Sequence, residues 1–250
     1  MAYRFTAYPA AGYSTLPPLF LCWMHGDAES VTHGPHRGVV GGPPQMSLFG
    51  GKEGSPTVLD GGFLREILVA LQPLGGHRAD WERLADVIEA APSTWRWWIR
   101  RHPASRPDQD SEYGRLMALQ GANVEITGAV ALPLPLLLKQ MDAVLSLASG
   151  VAVEASMFGV PAFFLSEEAR GPFGALIASG GATVIDIPEV TRHIAGLGER
   201  KPHPPGDLPS LDEALAQLEE MAAEYAHDHR AARDRVNIRT TRCEGKSEPV

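Results

Sequence analysis

The sequence predicts a doubly wound α/β domain, a parallel sheet covered by helices on both faces. Three observations carry that prediction. Apolar runs of strand length recur between Ile67 and Ile187, amphipathic stretches of helix length separate them, and the connections are short and punctuated by Gly and Pro. Such alternation buries every run only in a parallel sheet, and right-handed crossovers are then its topology.

The elements follow in order. Up to Phe49 the chain is rich in Gly, Pro, Tyr and His, with few runs long enough for a helix; Leu19 to Trp23 reads as a buried strand and Gly38 to Gly41 as a second. Gly50 to Gly62 is a linker, so a fragment of one unit precedes a complete one. Ile67 to Leu71 is the first strand of that unit, halted by Gln72-Pro73-Leu74-Gly75-Gly76. Asp80 to Ala90 places Trp81, Leu84, Ala85 and Ile88 on one helical face. Trp95 to Arg101 alternates Trp95, Trp97 and Ile99 against Arg96, Trp98 and Arg100, as a strand does. Helices at Asp110 to Leu119, Leu134 to Gln140, Val151 to Phe158 and Pro172 to Ser179 then alternate with strands at Asn123 to Ile126, Ala143 to Leu147, Pro161 to Leu165 and Thr183 to Ile187. Pro202 to Pro209 forms a second linker, and Ser210 is placed to cap a long helix from Leu211 to Arg235. No internal repeat is visible.

Composition narrows the function. The 250 residues are 44% hydrophobic with a formal charge of −8, which suits a globular protein and argues against a nucleic-acid binder working through a broad basic surface. Cys22 and Cys243 are too far apart in sequence to suggest a disulfide scaffold, and no C-x-x-C pair is present. Leu16 to Met24, interrupted by Pro17 and Pro18, is neither a spanning helix nor a signal peptide, so the expected compartment is the cytoplasm.

Ligands of open parallel sheets bind beyond the carboxyl ends of the strands, which selects three loops. Gly75 and Gly76 let backbone N–H groups approach a phosphate, or simply make a turn. Arg100-Arg101-His102-Pro103 follows directly on a strand; guanidinium and imidazole groups there suit phosphate oxygens, the alternative being a solvated basic turn. Ser146 to Ala155 runs from a strand through a serine–glycine turn into a helix. Ser149 is placed to cap it or hold an anion, and Glu154 to accept hydrogen bonds from a ribose diol or to face solvent. Neither G-x-G-x-x-G nor a P-loop occurs, and Leu147 replaces the first glycine of a G-x-S-x-G elbow. The pairs His33/His36 and His227/His229 lack a third ligand and read as solvated. The three tryptophans read as core rather than a sugar platform.

Taken together, Gly41 to Ile187 resembles the C-terminal, nucleotide-sugar-binding half of a GT-B glycosyltransferase, a Rossmann-like domain. More narrowly it is similar to bacterial capsule and surface-polysaccharide transferases of the sialyl and Kdo type. Arg101-His102-Pro103 resembles their His-Pro motif, Ser146 to Ser149 their paired serines, and Ser149 to Ala155 with Gly159-Val160-Pro161 the wider donor-nucleotide stretch. The resemblance implies that His102 binds phosphate and stabilises the leaving group, with Arg101 and Pro103 in the same loop. It further implies that Ser146, Ser149 and Gly150 meet phosphate and that Glu154 meets the ribose. It implies a nucleotide sugar as substrate, a glycan acceptor, and no cofactor or metal. Leu147 and Ala148 separate the serines, which leaves CMP-, UDP- and GDP-sugars open. On this resemblance residues 1–49 are a remnant of the acceptor-side domain, 50–62 a linker, 63–200 the donor domain, and 201–250 a linker with the C-terminal helix and tail. Most of the acceptor side is then expected to be missing, supplied by a partner chain or a peripheral membrane context. Three other readings share the pattern: a non-hydrolysing UDP-N-acetylglucosamine 2-epimerase, an inactive donor-binding remnant, and a small response-regulator-like domain.

Overall fold

The computed structural model describes residues 17–23, 25–32, 36–42, 62–72, 76–103, 105, 112–119, 121, 123–198 and 211–226. Two compact units divide the chain, one made of Phe5–Pro44 with Leu208–Val250, the other of Gln45–Asp207 with Met1–Arg4.

In the first unit, β1 (Leu19–Cys22) and β2 (Arg37–Val40) pair in parallel from Leu19↔Arg37 to Cys22↔Val40, joined through α1 (His25–Val31). The helix was not expected, because seven residues with buried apolar groups only at Ala28 and Val31 give almost no periodic signal. What seats it is Gly38. A Cβ there would lie 2.6 Å from Ala28 Cα and 2.8 Å from Val31 Cγ2, so the strand residue is a close-approach site for the helix. Gly38→Ala should therefore cost about 1–3 kcal/mol of local stability, as overpacking does. Hydrogen exchange across residues 19–40 would show it as faster opening, and unchanged protection would mean that the helix shifts freely.

His36, expected to be solvated, is buried instead. Its Nδ1 donates to Pro17 O at 2.9 Å and its ring meets Phe20 edge-on. His33, His227 and His229 lie outside the described residues. Cys22 packs with Ala28 and Val31, and burial, aided by Asp27, pushes its thiol up to about 11. The C-terminal helix is present over residues 211–226 (α9), with Leu211, Ala214, Leu218 and Met221 on its covered side. Ala214 sits where a Cβ on Gly41 would come within 2.7 Å. Ser210 and the stretch to Arg235 beyond residue 226 lie outside the described residues.

The second unit is a six-stranded, wholly parallel sheet. Along the chain run β3 (Arg65–Ala70), α2 (Arg78–Ala90), β4 (Trp95–Arg100), α3 (Gly114–Ala118), β5 (Val124–Glu125), α4 (Thr127–Ala131) and α5 (Leu134–Leu138). After them come β6 (Ala143–Ser146), α6 (Val151–Met157), β7 (Ala162–Phe164), α7 (Gly174–Ala178), β8 (Thr183–Val184) and α8 (Val190–Ala195). Ile67, Val69, Trp95, Trp97 and Ile99 point into one apolar core with Trp81, Leu84, Ala85 and Ile88 of α2. On the other face Trp98 Nε1 donates to Glu66 Oε2 at 2.7 Å, and Arg96 lies over the Phe63 ring at 4.1 Å. The tryptophans are thus core residues, as their alternation predicts.

Several elements are shorter than the sequence suggests. The expected strand to Ile187 ends at Val184, because Pro188 starts a 3-10 turn, Ile187–Glu189, that feeds α8. Helix α4 was missed: Thr127–Ala131 has one buried residue and is started by Glu125, whose Oε1 accepts from Gly128 N at 2.6 Å. No helix among the described residues is long and apolar enough to cross a membrane.

Candidate functional site

Strand order in the sheet is β5-β4-β3-β6-β7-β8. The chain therefore starts in the middle, runs to one edge, returns to lay β6 beside β3, and runs to the other edge. The reversal between β3 and β6 is a topological switch point, where connections leave in opposite directions and open a crevice beyond the carboxyl ends. Register sets which residues reach it. Ala70 is level with Arg100 on β4, and Val69 with Leu145 on β6. The loops after β3, β4 and β6 thus leave one edge side by side, with the ends of β4 and β6 about 10 Å apart at ordinary strand spacing.

The loop after β3 is more self-contained than expected. Gly75 lies outside the described residues. Gly76 has φ +91°, the left-handed region that favours glycine, and its N–H donates to Glu112 Oε1 at 2.9 Å. That N–H is engaged with a carboxylate across the turn. The start of α2 is similarly occupied: His77 Nδ1 lies 3.1 Å from Asp80 Oδ2, and Nε2 3.6 Å from Glu168 Oε2.

At the end of β4 the basic residues divide by burial. Arg100 turns inward, its Nη1 donating to Leu132 O at 2.8 Å and to Ala129 O, which ties the end of α4 to the strand. Burial pushes this guanidinium below its ordinary range, and the Glu154 carboxylate opposes that shift. Arg101 is half-buried, while His102 and Pro103 are exposed in a turn closed by Ser105 N on His102 O at 2.9 Å.

At the end of β6, Ser146 is fully buried and its Oγ accepts from Ser149 N at 3.4 Å. It shapes the turn from beneath. Ser149 Oγ accepts from Val151 N at 3.3 Å, the capping role expected, although Gly150 is the residue that flanks the helix. Glu154 is 5% exposed, so the solvent-facing alternative is wrong for it.

Sequence reasoning missed what joins these loops. The Gln72 carboxamide receives Ala148 N–H on Oε1 at 2.7 Å and donates from Nε2 to Ala148 O. Tyr113, wholly buried before α3, donates its hydroxyl to Gln72 O. The one signal available was a polar Gln placed immediately after an apolar strand. Among the described residues no cluster of three or more His, Cys, Asp or Glu is arranged to hold a metal ion.

No protein-family profile matches the sequence, and no curated protein matches it. Solved structures do. A Listeria monocytogenes protein assigned as a UDP-N-acetylglucosamine 2-epimerase is similar with a TM-score of 0.55 at 16% identity, over 83% of this chain and 59% of its own. MnaA of S. aureus, solved with UDP, gives 0.54 at 15%, over 84% and 60%. CalG4, a calicheamicin glycosyltransferase, gives 0.45 at 18%, over 66% and 40%. The chain spans between 40% and 60% of the length of these proteins. At 15–16% identity the likeness to the first two carries the fold: a Rossmann-like α/β sheet consistent with one half of the GT-B architecture.

Proposed function

We propose that this chain binds a nucleotide-sugar donor at the switch-point crevice, as the donor half of a GT-B glycosyltransferase. The observation that carries the reading is the placement of Arg101-His102-Pro103 after β4 and of Ser149-Gly150 with buried Glu154 after β6, on two strands that flank the switch point. Arg101 and His102 are the donors for diphosphate oxygens, Ser149 and Gly150 border the phosphate from the other side, and Glu154 accepts from the ribose diol. Ser146 serves the turn rather than the ligand.

The chemistry asked of these groups is stabilisation of a departing phosphate. An acceptor hydroxyl oxygen bonds to the anomeric carbon, the bond from that carbon to the phosphate oxygen breaks, and the electron pair leaves on the phosphate. Arg101 and His102 meet the charge as it develops, which is where fixed donors lower a barrier. The hydroxyl proton goes to a base on the acceptor side, outside the donor half. Surface-polysaccharide synthesis in the cytoplasm, with a sialyl- or Kdo-type donor, is the finer form of this reading, supported by the His-Pro and serine motifs.

A second reading, a UDP-N-acetylglucosamine 2-epimerase, uses the same half for a UDP-sugar and is favoured by the two likenesses above 0.5. Titration of CMP, CDP, UDP and GDP should give saturable binding of one base class, and binding of none would sink both readings. Conversion of UDP-N-acetylglucosamine to its 2-epimer then separates them, since a transferase leaves that sugar's stereochemistry unchanged.

A further inference from the structure

Resting on the donor-site reading, we infer that Gln72 is the positioning residue of the crevice, a side-chain amide that continues the β3–β6 ladder across the switch point and fixes the serine turn. Backbone pairing between β3 and β6 runs from Ile67↔Ala143 to Val69↔Leu145, and both strands end one residue later. The Ala148 peptide lies just past that point, where its N–H and C=O need partners. A carboxamide offers the donor and acceptor of a peptide group, and Gln72 meets both sides of Ala148 with it. Only one orientation of the amide satisfies both bonds, so the two contacts fix its flip.

Gln72 is itself anchored. Tyr113 donates to its carbonyl, and the Tyr113 ring packs edge-on against Trp81 of α2 at 6.0 Å between centroids. A line of contacts therefore runs from the core through Tyr113 and Gln72 to Ala148, the residue next to Ser149. Ser149 is 6% exposed and Gly150 follows it, so a drift of the 148 peptide moves the groups assigned to phosphate. Gln72 touches no ligand in this scheme and acts through Ala148.

Substitution separates a hydrogen-bonded clamp from mere packing. Gln72→Met keeps the shape and removes both bonds. At this buried position a carboxyl is held protonated well above the ordinary carboxylate range; Gln72→Glu therefore restores both bonds at pH 5, O–H donating to Ala148 O while C=O receives the N–H, and loses the donor on ionising at higher pH. The probe is whichever of CMP, CDP, UDP and GDP binds wild type most tightly, with each variant compared to wild type at pH 5 and pH 8. The expected results are a Kd raised about ten- to a hundredfold for Gln72→Met at both pH values, and for Gln72→Glu at pH 8 but not at pH 5. Tyr113→Phe, which deletes only one anchor and keeps the ring packing, should show a smaller rise. Wild-type affinity in Gln72→Met overturns the inference, as does a Gln72→Glu defect that is the same at both pH values. Should wild type bind none of the nucleotides, the function reading fails, and hydrogen exchange of residues 148–150 in the unliganded proteins decides the clamp. Faster exchange in Gln72→Met upholds it, and equal exchange overturns it.

Discussion

Alanine at His102 is expected to weaken nucleotide binding about ten- to 150-fold while leaving the fold intact. The side chain is exposed at the carboxyl end of β4, so truncation removes little packing, and stability should stay within about 0.5 kcal/mol of wild type. A hydrogen bond from imidazole to a charged phosphate is worth about 1.5–3 kcal/mol, or roughly ten- to 150-fold in Kd. Adding Arg101→Ala removes a second donor from the same loop and should take binding beyond detection. The measurement is calorimetric titration beside a thermal melt. Weakened binding at an unchanged melting temperature places His102 on the ligand, whereas weakened binding with a lowered melting temperature would show that the turn had collapsed. Wild-type binding in the double variant would remove the His-Pro loop from the site altogether.

That loop was legible in sequence because a strand running straight into Arg-Arg-His-Pro is a local pattern, and so was the sheet. A parallel strand buried on both faces is a continuous apolar run, as Ile67 to Leu71 and Ala143 to Leu145 show, and the pattern needs no knowledge of neighbours. The tryptophan alternation likewise assigned faces correctly, because strand periodicity alone decides them.

What stayed hidden depends on pairing across the chain. Gln72 and Ala148 are 76 positions apart, and nothing near either residue announces the other. Glu154 reads as a surface charge from its neighbours, yet it is buried, and its carboxylate acts on Arg100 of a separate strand. For Gly76 the sequence leaves a turn and an anion cradle open, and only the fold shows that its N–H meets the Glu112 carboxylate. Short helices such as α1 and α4 failed for a further reason. One or two buried positions set no period, and their limits come from tertiary contacts at Gly38 and Glu125.

The same burial makes Glu154 the position where loss of stability and loss of specificity can be told apart. Glu154→Ala should destabilise the protein by about 1–3 kcal/mol, since it empties a buried site and removes the carboxylate that opposes the effect of burial on Arg100. The low end is expected, since Arg100 keeps its bonds to the Leu132 and Ala129 carbonyls. Pairing it with Arg100→Met should recover part of the loss, because removing both charges is far cheaper than removing one. Denaturant titrations of the two single variants and the double test that coupling, and additive losses would show that the two charges do not interact. Glu154→Gln, which keeps the volume, then probes the ligand. If the carboxylate accepts from the ribose, wild type should prefer a ribonucleotide over its 2′,3′-dideoxy form by about tenfold or more. In Glu154→Gln that preference should shrink, even though both ligands still meet Arg101 and His102. A preference that survives intact would confine Glu154 to balancing Arg100, and recognition of the sugar would have to come from elsewhere in the crevice.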